Sequence, residues 1–255
     1  MTALVTYAVD GHVARLTLDS PHNRNALSGR LVEQLHAGLR EAAADPGVRV
    51  LVLGHTGGTF CAGADLSEAS GGDPFESTAA RTRELATVLR AIVESPLPVV
   101  AAIDGHVRAG GLGLVGACDI AVAGPRSTFA LTEARIGVAP AIISLTLLPK
   151  LSPRAAARYY LTGETFSAER AAEIGLITLA AEDVTAAVDG LVADLGRGSP
   201  QGLAASKALT TASILAGFDR DAERLAVESA RLFISDEARE GMLAFLQKRP
   251  PNRAQ

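Results

Sequence analysis

The chain has 255 residues, 48% hydrophobic and 20% charged, with 24 basic against 28 acidic side chains and a formal net charge of −4. That is enough apolar chain for a full core of α/β size, and an acidic balance without a long basic block argues against nucleic acid as a main partner. Two cysteines, Cys61 and Cys118, lie in apolar or glycine-rich stretches without metal spacing, which points to a reducing cytoplasm, and no apolar run reaches the ~20 residues of a membrane span.

Residues 5–9 and 13–18 alternate apolar and polar side chains around Asp10-Gly11-His12, a hairpin pattern. A turn at 21–25 leads to Ser28, a cap for a helix whose Leu31, Val32, Leu35 and Leu39 recur at helical spacing until Asp45-Pro46-Gly47. Residues 48–53 form a short β-branched strand that runs into a glycine-bearing loop at 54–66. From 67 to 75 the composition turns to Gly, Ser, Asp and Pro, as in a mobile segment able to act as a lid. A helix carrying Leu85, Val88, Leu89 and Ile92 then stops at Ser95-Pro96. Residues 99–103 read as a buried strand ending in Asp104-Gly105, and a helix of small residues begins near Gly110-Gly111. Short extended pieces follow at 120–123 and 127–131. Beyond Pro149 helices dominate, at 152–161, 168–174, 184–195, 202–215, 219–234 and 236–247, with one brief strand near 176–179. This order divides the chain into an α/β core, 1–200, and a helical C-terminal region, 201–255; the strand-helix alternation favours mainly parallel pairing.

The two glycine loops each follow a strand, and in a parallel arrangement both lie at the sheet edge where α/β proteins bind ligands. Small residues let backbone N–H groups stand bare at a helix N-terminus, where they stabilise negative charge developing on a substrate oxygen. Gly110 therefore reads as half of an oxyanion hole, although a tight strand-to-helix turn packed on a sheet accounts for the glycines equally well. Neither loop carries a dinucleotide fingerprint, and no glycine run leads into Gly-Lys-Ser or Gly-Lys-Thr, so nucleotide hydrolysis is a poor reading. No ligand cluster suggests a metal.

Several ordered stretches resemble the enoyl-CoA hydratase/isomerase family, the crotonases. They are Phe60-Cys61-Ala62-Gly63-Ala64-Asp65-Leu66, residues 98–114, Cys118-Asp119-Ile120, Asn25-Ala26-Leu27, Thr162-Gly163, residues 172–177 and the ending 240–249, so the resemblance spans about residues 4 to 250. It implies the crotonase (ClpP/crotonase-like) fold, an α/β structure of repeated ββα units with a helical C-terminal region, assembled as a homotrimer or a dimer of trimers. The implied substrate is an acyl-CoA thioester, with no cofactor because CoA is part of the substrate, no metal, and no nucleic-acid or membrane partner.

On the matching positions, the family's two oxyanion N–H groups fall on Ala64 and Gly110, where they would grip the thioester oxygen as it gains enolate character. Asp65 would order the loop by accepting backbone N–H groups, a part close to that of an ordinary turn residue. The backbone of Ala62, Asp65 and Leu66 would hold the adenine, and Arg24 and Ala26 the pantetheine or adenine end. Arg24 either pairs with a phosphate there or is an unpartnered surface arginine. Phe245 and Lys248 match positions that in the family reach the CoA of a neighbouring subunit, the lysine on a phosphate.

Of the family's two acid/base glutamates, one position is Gly113 here and the other is Glu133. Glu133 lies in a mostly apolar stretch that would raise its pKa and suit it to proton transfer at the α-carbon; without the resemblance, a glutamate near Arg135 reads as a surface ion pair. A 1,3-proton shift needs one base, so Δ3,Δ2-enoyl-CoA isomerisation stays open beside hydration. So does a non-catalytic acyl-CoA-binding homologue that lost its activity with the acid at 113. Residues 111–119 and 131–144 resemble a subgroup of hydratases for branched or carboxylated enoyl-CoAs, of the methylglutaconyl-CoA kind, which places hydration of the 2,3 double bond first. Arg108, a charge beside the oxyanion loop, either meets a distal carboxylate or points to solvent.

Overall fold

The computed structural model describes residues 3–65, 67–68 and 72–252. The predicted hairpin is β1 (Val5–Asp10) and β2 (Val13–Leu18), antiparallel, with Gly11 at φ +58° in the turn. Ser28 caps α1 (Gly29–Ala44) by accepting the Leu31 N–H, and the helix buries Leu31, Val32, Leu35 and Leu39 as their spacing predicts. Three strand pairs come next: β3 (Val50–His55) with β4 (Thr59–Cys61), β5 (Val99–Ile103) with β6 (His106–Arg108), and β7 (Ile120–Ala123) with β8 (Thr128–Ala130). Helix α2 (Pro74–Glu94) follows the first pair and α3 (Gly110–Ala117) the second. Beyond them run α4 (Ser144–Leu147), α5 (Pro153–Thr162), β9 (Phe166–Ser167), α6 (Ala168–Glu173), β10 (Leu179–Ala180), α7 (Val184–Gly196), α8 (Pro200–Phe233) and α9 (Asp236–Leu246).

In every pair the first strand joins a six-stranded sheet, ordered β1-β2-β3-β5-β7-β10, and the second joins a four-stranded sheet, ordered β4-β6-β8-β9. β4 and β6 fall in stretches that read as loops from sequence, because three residues are too few for a strand period to show. In the small sheet β4, β6 and β8 are parallel neighbours, so their C-terminal ends share one edge. Ala64, Gly110 and Glu133 follow those three ends by three, two and three residues.

β3 is apolar from Val50 to Leu53 because both faces of that stretch are covered. Leu51 and Leu53 enter the main core with Leu16, Leu35 and Ile92, whereas Val50 and Val52 pack with Val100 and Val122 beneath Val188 and Val192 of α7. Each such side chain contributes about 1.5–3 kcal/mol by leaving water.

Residues 202–215 and 219–234, predicted as two helices, are one: α8 runs through Gly217 and buries Phe218, and its packing along α2 overrides the local helix-weakening effect of glycine. A buried ion pair ties α8 to the large sheet. Lys207 Nζ lies 2.7 Å from Asp119 Oδ2 and donates to the carbonyls of Ile92 (2.8 Å) and Leu97 (3.0 Å), which occupies its three protons. Asp119 Oδ2 also accepts the Val99 N–H at 2.8 Å. Among the described residues no helix is long and apolar enough to cross a membrane.

Candidate active site

Asn25 anchors one side of the site. It is fully buried at φ 53°; its Oδ1 accepts the Ser20 N–H at 2.7 Å, and its Nδ2 donates to the carbonyls of Thr56 (3.0 Å) and Thr59 (2.8 Å). This fixes Leu27 against the first glycine loop, where the Leu27 N–H donates to Gly63 O at 2.8 Å and Leu27 O accepts the Asp65 N–H at 3.3 Å. That parallel bridge uses the groups on either side of Ala64, so the Ala64 N–H points away from Leu27. Gly110 opens α3, where an N–H has no acceptor within the helix.

The two loops touch at Gly63, whose φ is +89°. A Cβ there would stand 2.7 Å from the Cβ of Ala109 and 3.3 Å from Gly110 N, so only glycine lets the segments approach. Ala109 takes φ 46° and ψ −120°, a region that side-chain-bearing residues rarely adopt, and this strained turn sets the first N–H of α3. Ala64 and Gly110 both line a cavity of about 290 Å³.

Glu133 lines the same cavity from the end of the third strand, in a 3-10 turn, Glu133–Ile136. Its residue is 8% exposed, its Oε2 is buried with no hydrogen-bond partner among the described residues, and burial pushes its carboxyl up to about 7. A buried carboxylate oxygen left without a donor is costly, and such a group is most often kept where it must receive a proton. The segment 139–143 supplies another wall and is braced from behind: Ser144 Oγ donates to Pro140 O at 2.7 Å and stands 3.2 Å from Tyr160 Oη. Burial, with the charge of Glu133 adding to it, pushes the Tyr160 phenol up to about 12, so it remains protonated. Gly113 is buried in α3, and a Cβ on it would stand 2.5 Å from Ile143 Cγ2 and 3.4 Å from Leu89 Cδ1. Ile143 therefore occupies the space a second glutamate would need.

Of the residues singled out from sequence, Ala64, Asp65, Gly110 and Glu133 meet on the cavity. Asp65 Oδ1 accepts the Ser67 N–H (3.0 Å) and hydroxyl (2.6 Å), and Oδ2 accepts Asn23 Nδ2 (3.2 Å). These bonds, the Ser67 hydroxyl first, hold its carboxyl below the usual carboxylate range. Arg24, Ala26, Ala62, Phe245 and Lys248 are not brought to this cavity. Arg24 is exposed while its carbonyl accepts the Ala62 N–H at 3.1 Å, Ala26 is buried, and Phe245 and Lys248 are exposed at the end of α9. Leu66 lies outside the described residues, as does part of the predicted lid at 67–75. Arg108 neither reaches the cavity nor points to solvent: Nη1 donates to the carbonyls of Val107 (2.8 Å) and Thr128 (2.7 Å), and Nη2 to Thr128 Oγ1 (2.9 Å). Both cysteines are buried with thiols pushed up to about 12, which makes them neutral packing groups.

One wall escaped sequence reasoning. Thr78, Arg81, Thr82 and Leu85 of α2 line the cavity and recur at i, i+3, i+4 and i+7, a helical face that is visible in the sequence once α2 is assigned. Phe233 and Met242 arrive from α8 and α9 without any local signal.

Two backbone N–H groups without an acceptor among the described residues, beside a buried carboxyl with a raised pKa, form an arrangement chemically able to stabilise a carbonyl-derived oxyanion while a proton moves. Known proteins carry this class to a family. Residues 9–255 match the enoyl-CoA hydratase/isomerase family. A crystal structure of an enoyl-CoA hydratase from Mycobacterium avium is 75% identical, with 99% of each chain covered and a TM-score of 0.93. A "probable enoyl-CoA hydratase" from Bacillus subtilis is 32% identical over 97% of each chain. The 2,3-dehydroadipyl-CoA hydratase of Escherichia coli is 32% identical over 94% of each. The chain belongs to the enoyl-CoA hydratase/isomerase family and has the crotonase fold. Its substrate class is the acyl-CoA thioester.

Proposed function

We propose that the protein hydrates the 2,3 double bond of an enoyl-CoA thioester, with the Ala64 and Gly110 N–H groups on the thioester oxygen and Glu133 moving the proton. The observation that carries this reading is the buried, unpartnered Glu133 Oε2 on the cavity that Ala64 and Gly110 line. The two N–H groups draw electron density toward the carbonyl oxygen and leave C3 electrophilic. The Glu133 carboxylate takes a proton from water as the water oxygen bonds to C3, and the displaced electron pair comes to rest on the thioester oxygen as an enolate. Neutral Glu133 then gives that proton to C2, and the carbonyl re-forms. One water is consumed and Glu133 is returned ionised. The donors act most strongly on the enolate, where removing one costs about 3 kcal/mol of transition-state stabilisation.

Δ3,Δ2-isomerisation is a second reading, favoured by Ile143 filling the space at Gly113, because a 1,3-proton shift needs only one base. Mass spectrometry of 2-enoyl and 3-enoyl CoA esters in H₂¹⁸O separates the two. Label in the product of the 2-enoyl ester is expected; a shifted double bond without label would replace hydration by isomerisation. Binding with neither outcome would leave a non-catalytic acyl-CoA-binding homologue.

CoA enters with the substrate and no further cofactor takes part in this scheme. Ala62, Asp65, Leu66, Arg24 and Ala26 are assigned to its adenine and pantetheine end on the family's pattern. Phe245, 58% exposed, and Lys248 lie away from their own cavity, which suits contact with a neighbour's CoA in a homotrimer or a dimer of trimers in the cytoplasm. Sedimentation equilibrium of the purified protein tests that assembly.

A further inference from the structure

The cavity holds more charge than the hydration chemistry uses. Besides Glu133, its lining residues include the acidic Asp65, Glu68 and Glu84 against one basic residue, Arg81. Arg81 is already engaged: Nη2 donates to Glu68 O at 3.1 Å and lies 3.8 Å from Glu68 Oε2. The N-terminus of α1, which would welcome an anion, is taken as well. Both carboxylate oxygens of Glu68 accept the Gly29 N–H at 3.2 Å, and Ser28 Oγ accepts the Leu31 N–H at 3.3 Å. The Thr78 and Thr82 hydroxyls donate to the carbonyls of Pro74 (2.8 Å) and Thr78 (2.9 Å). Ser229 adds one neutral hydroxyl.

Glu84, by contrast, is exposed and makes no hydrogen bond or ion pair among the described residues. Its Oε2 stands 4.0 Å, and Glu68 Oε1 3.9 Å, from the point where a Cβ on Gly29 would sit, so the two carboxylates converge within about 8 Å of each other at one end of the cavity. Arg108, the cation that sequence offered for a distal carboxylate, is spent on Val107 and Thr128 outside the cavity. The remaining walls, including Leu85, Ile142, Phe233 and Met242, are apolar.

We propose that this end of the cavity is a charge filter: it admits 2-enoyl-CoA thioesters with an uncharged acyl chain and rejects those whose chain ends in a carboxylate, with Glu84 setting the rejection. The proposal rests on the hydratase reading for its turnover test. It separates this chain from relatives such as the Escherichia coli enzyme, whose name describes a thioester with a second carboxyl group. A substrate carboxylate reaching this end would meet an excess of like charge, three acidic residues against one guanidinium already shared with Glu68, and at an effective dielectric near 20 a like charge within about 8 Å disfavours binding by roughly tenfold or more.

The test compares the full chain on two six-carbon 2-enoyl-CoA esters, one ending in a methyl group and one in a carboxylate. The carboxylated ester should show kcat/KM lower by about tenfold or more, carried by KM and narrowing as salt rises. Glu84→Gln should shrink the ratio, and Glu84→Lys should shrink it further. Calorimetric binding of the two saturated esters repeats the comparison without turnover and should show the same preference. Equal or better use of the carboxylated ester overturns the filter, as does a ratio unmoved by both Glu84 variants. Hydration of neither ester would defeat the hydratase reading, and the binding comparison would then decide the filter alone.

Discussion

Replacing Glu133 with glutamine should stabilise the protein while removing its chemistry, and the size of the effect follows from burial. The carboxyl is moved from its ordinary 4.5 to about 7 by loss of solvent, which corresponds to about 3 kcal/mol of folding stability. Below pH 4.5 the group is neutral in the folded and the unfolded chain, and the penalty vanishes. Between 4.5 and about 7 the unfolded chain gives up its proton while the folded chain keeps it, so stability falls as pH rises. Above about 7 the folded chain carries a buried charge whose Oε2 has no partner among the described residues, and the penalty is complete. Glu133→Gln keeps the shape without the charge, so it should unfold roughly 6 °C higher than wild type at pH 8 and nearly level with it at pH 4.5. Thermal unfolding followed by circular dichroism at the two pH values measures this. Hydration of a 2-enoyl-CoA should fall by about 10²–10⁴-fold in the same variant. In the wild type kcat/KM should climb with pH to about 7 and then level, as the base form fills. A glutamine variant no more stable than wild type at pH 8, or one that keeps wild-type turnover, would refute the buried, unpartnered base.

Three further substitutions probe the frame around that group. Gly113→Glu should cost about 1–3 kcal/mol in urea denaturation, because its Cβ would press within 2.5 Å of Ile143 Cγ2, and adding Ile143→Ala should recover most of the loss. Gly63→Ala should lower kcat by up to about 10²-fold with a smaller change in KM, since a methyl 2.7 Å from Ala109 Cβ would spread the two oxyanion donors; steady-state hydration kinetics measure the split. Lys207→Met should cost about 3–5 kcal/mol by stranding Asp119 and two backbone carbonyls, and Lys207→Met with Asp119→Asn should be less damaged than the single change in chemical denaturation.

The parts of this fold that sequence revealed are those with a repeat long enough to express itself. Helix α1 announces itself through Ser28 and the Leu31, Leu35 and Leu39 stripe, and Gly110 stands out because a strand runs straight at a glycine-rich helix start. The small sheet shows only at 127–131, which holds β8; β4 and β6, three residues each, leave no trace. Yet their parallel pairing is what aligns Ala64, Gly110 and Glu133 along one edge. Glu133 illustrates the consequence. Its immediate neighbours suggest an ion pair with Arg135, and only the family resemblance selects it, because the elements packed on its turn, α5 and α9, come from distant parts of the chain. Arg108 fails in the opposite sense, since adjacency to Gly110 in the chain does not place a side chain that points back along β6 to Thr128.

The same geometry explains why the destabilising features gather where they do. Strained Ala109, the cradle at Gly63 and the uncompensated Glu133 all belong to the edge of the sheet with the shortest strands. Each works against folding locally, and each exposes or frees a group to which the proposed hydration gives a role. They persist because the six-stranded sheet is packed on both faces, and because α8 is bound to it through Lys207 and Asp119 at the base of the unit that carries Gly110. Asp119 closes the turn after α3 and also receives the N–H of Val99 at the start of β5, so the pair clamps both ends of the strand-and-helix unit whose middle holds Gly110, the proposed oxyanion donor. The chain thus separates holding from reacting: the large sheet and α8 supply the stability that leaves Gly110 without a hydrogen-bond acceptor in its helix and Glu133 Oε2 without a donor among the described residues.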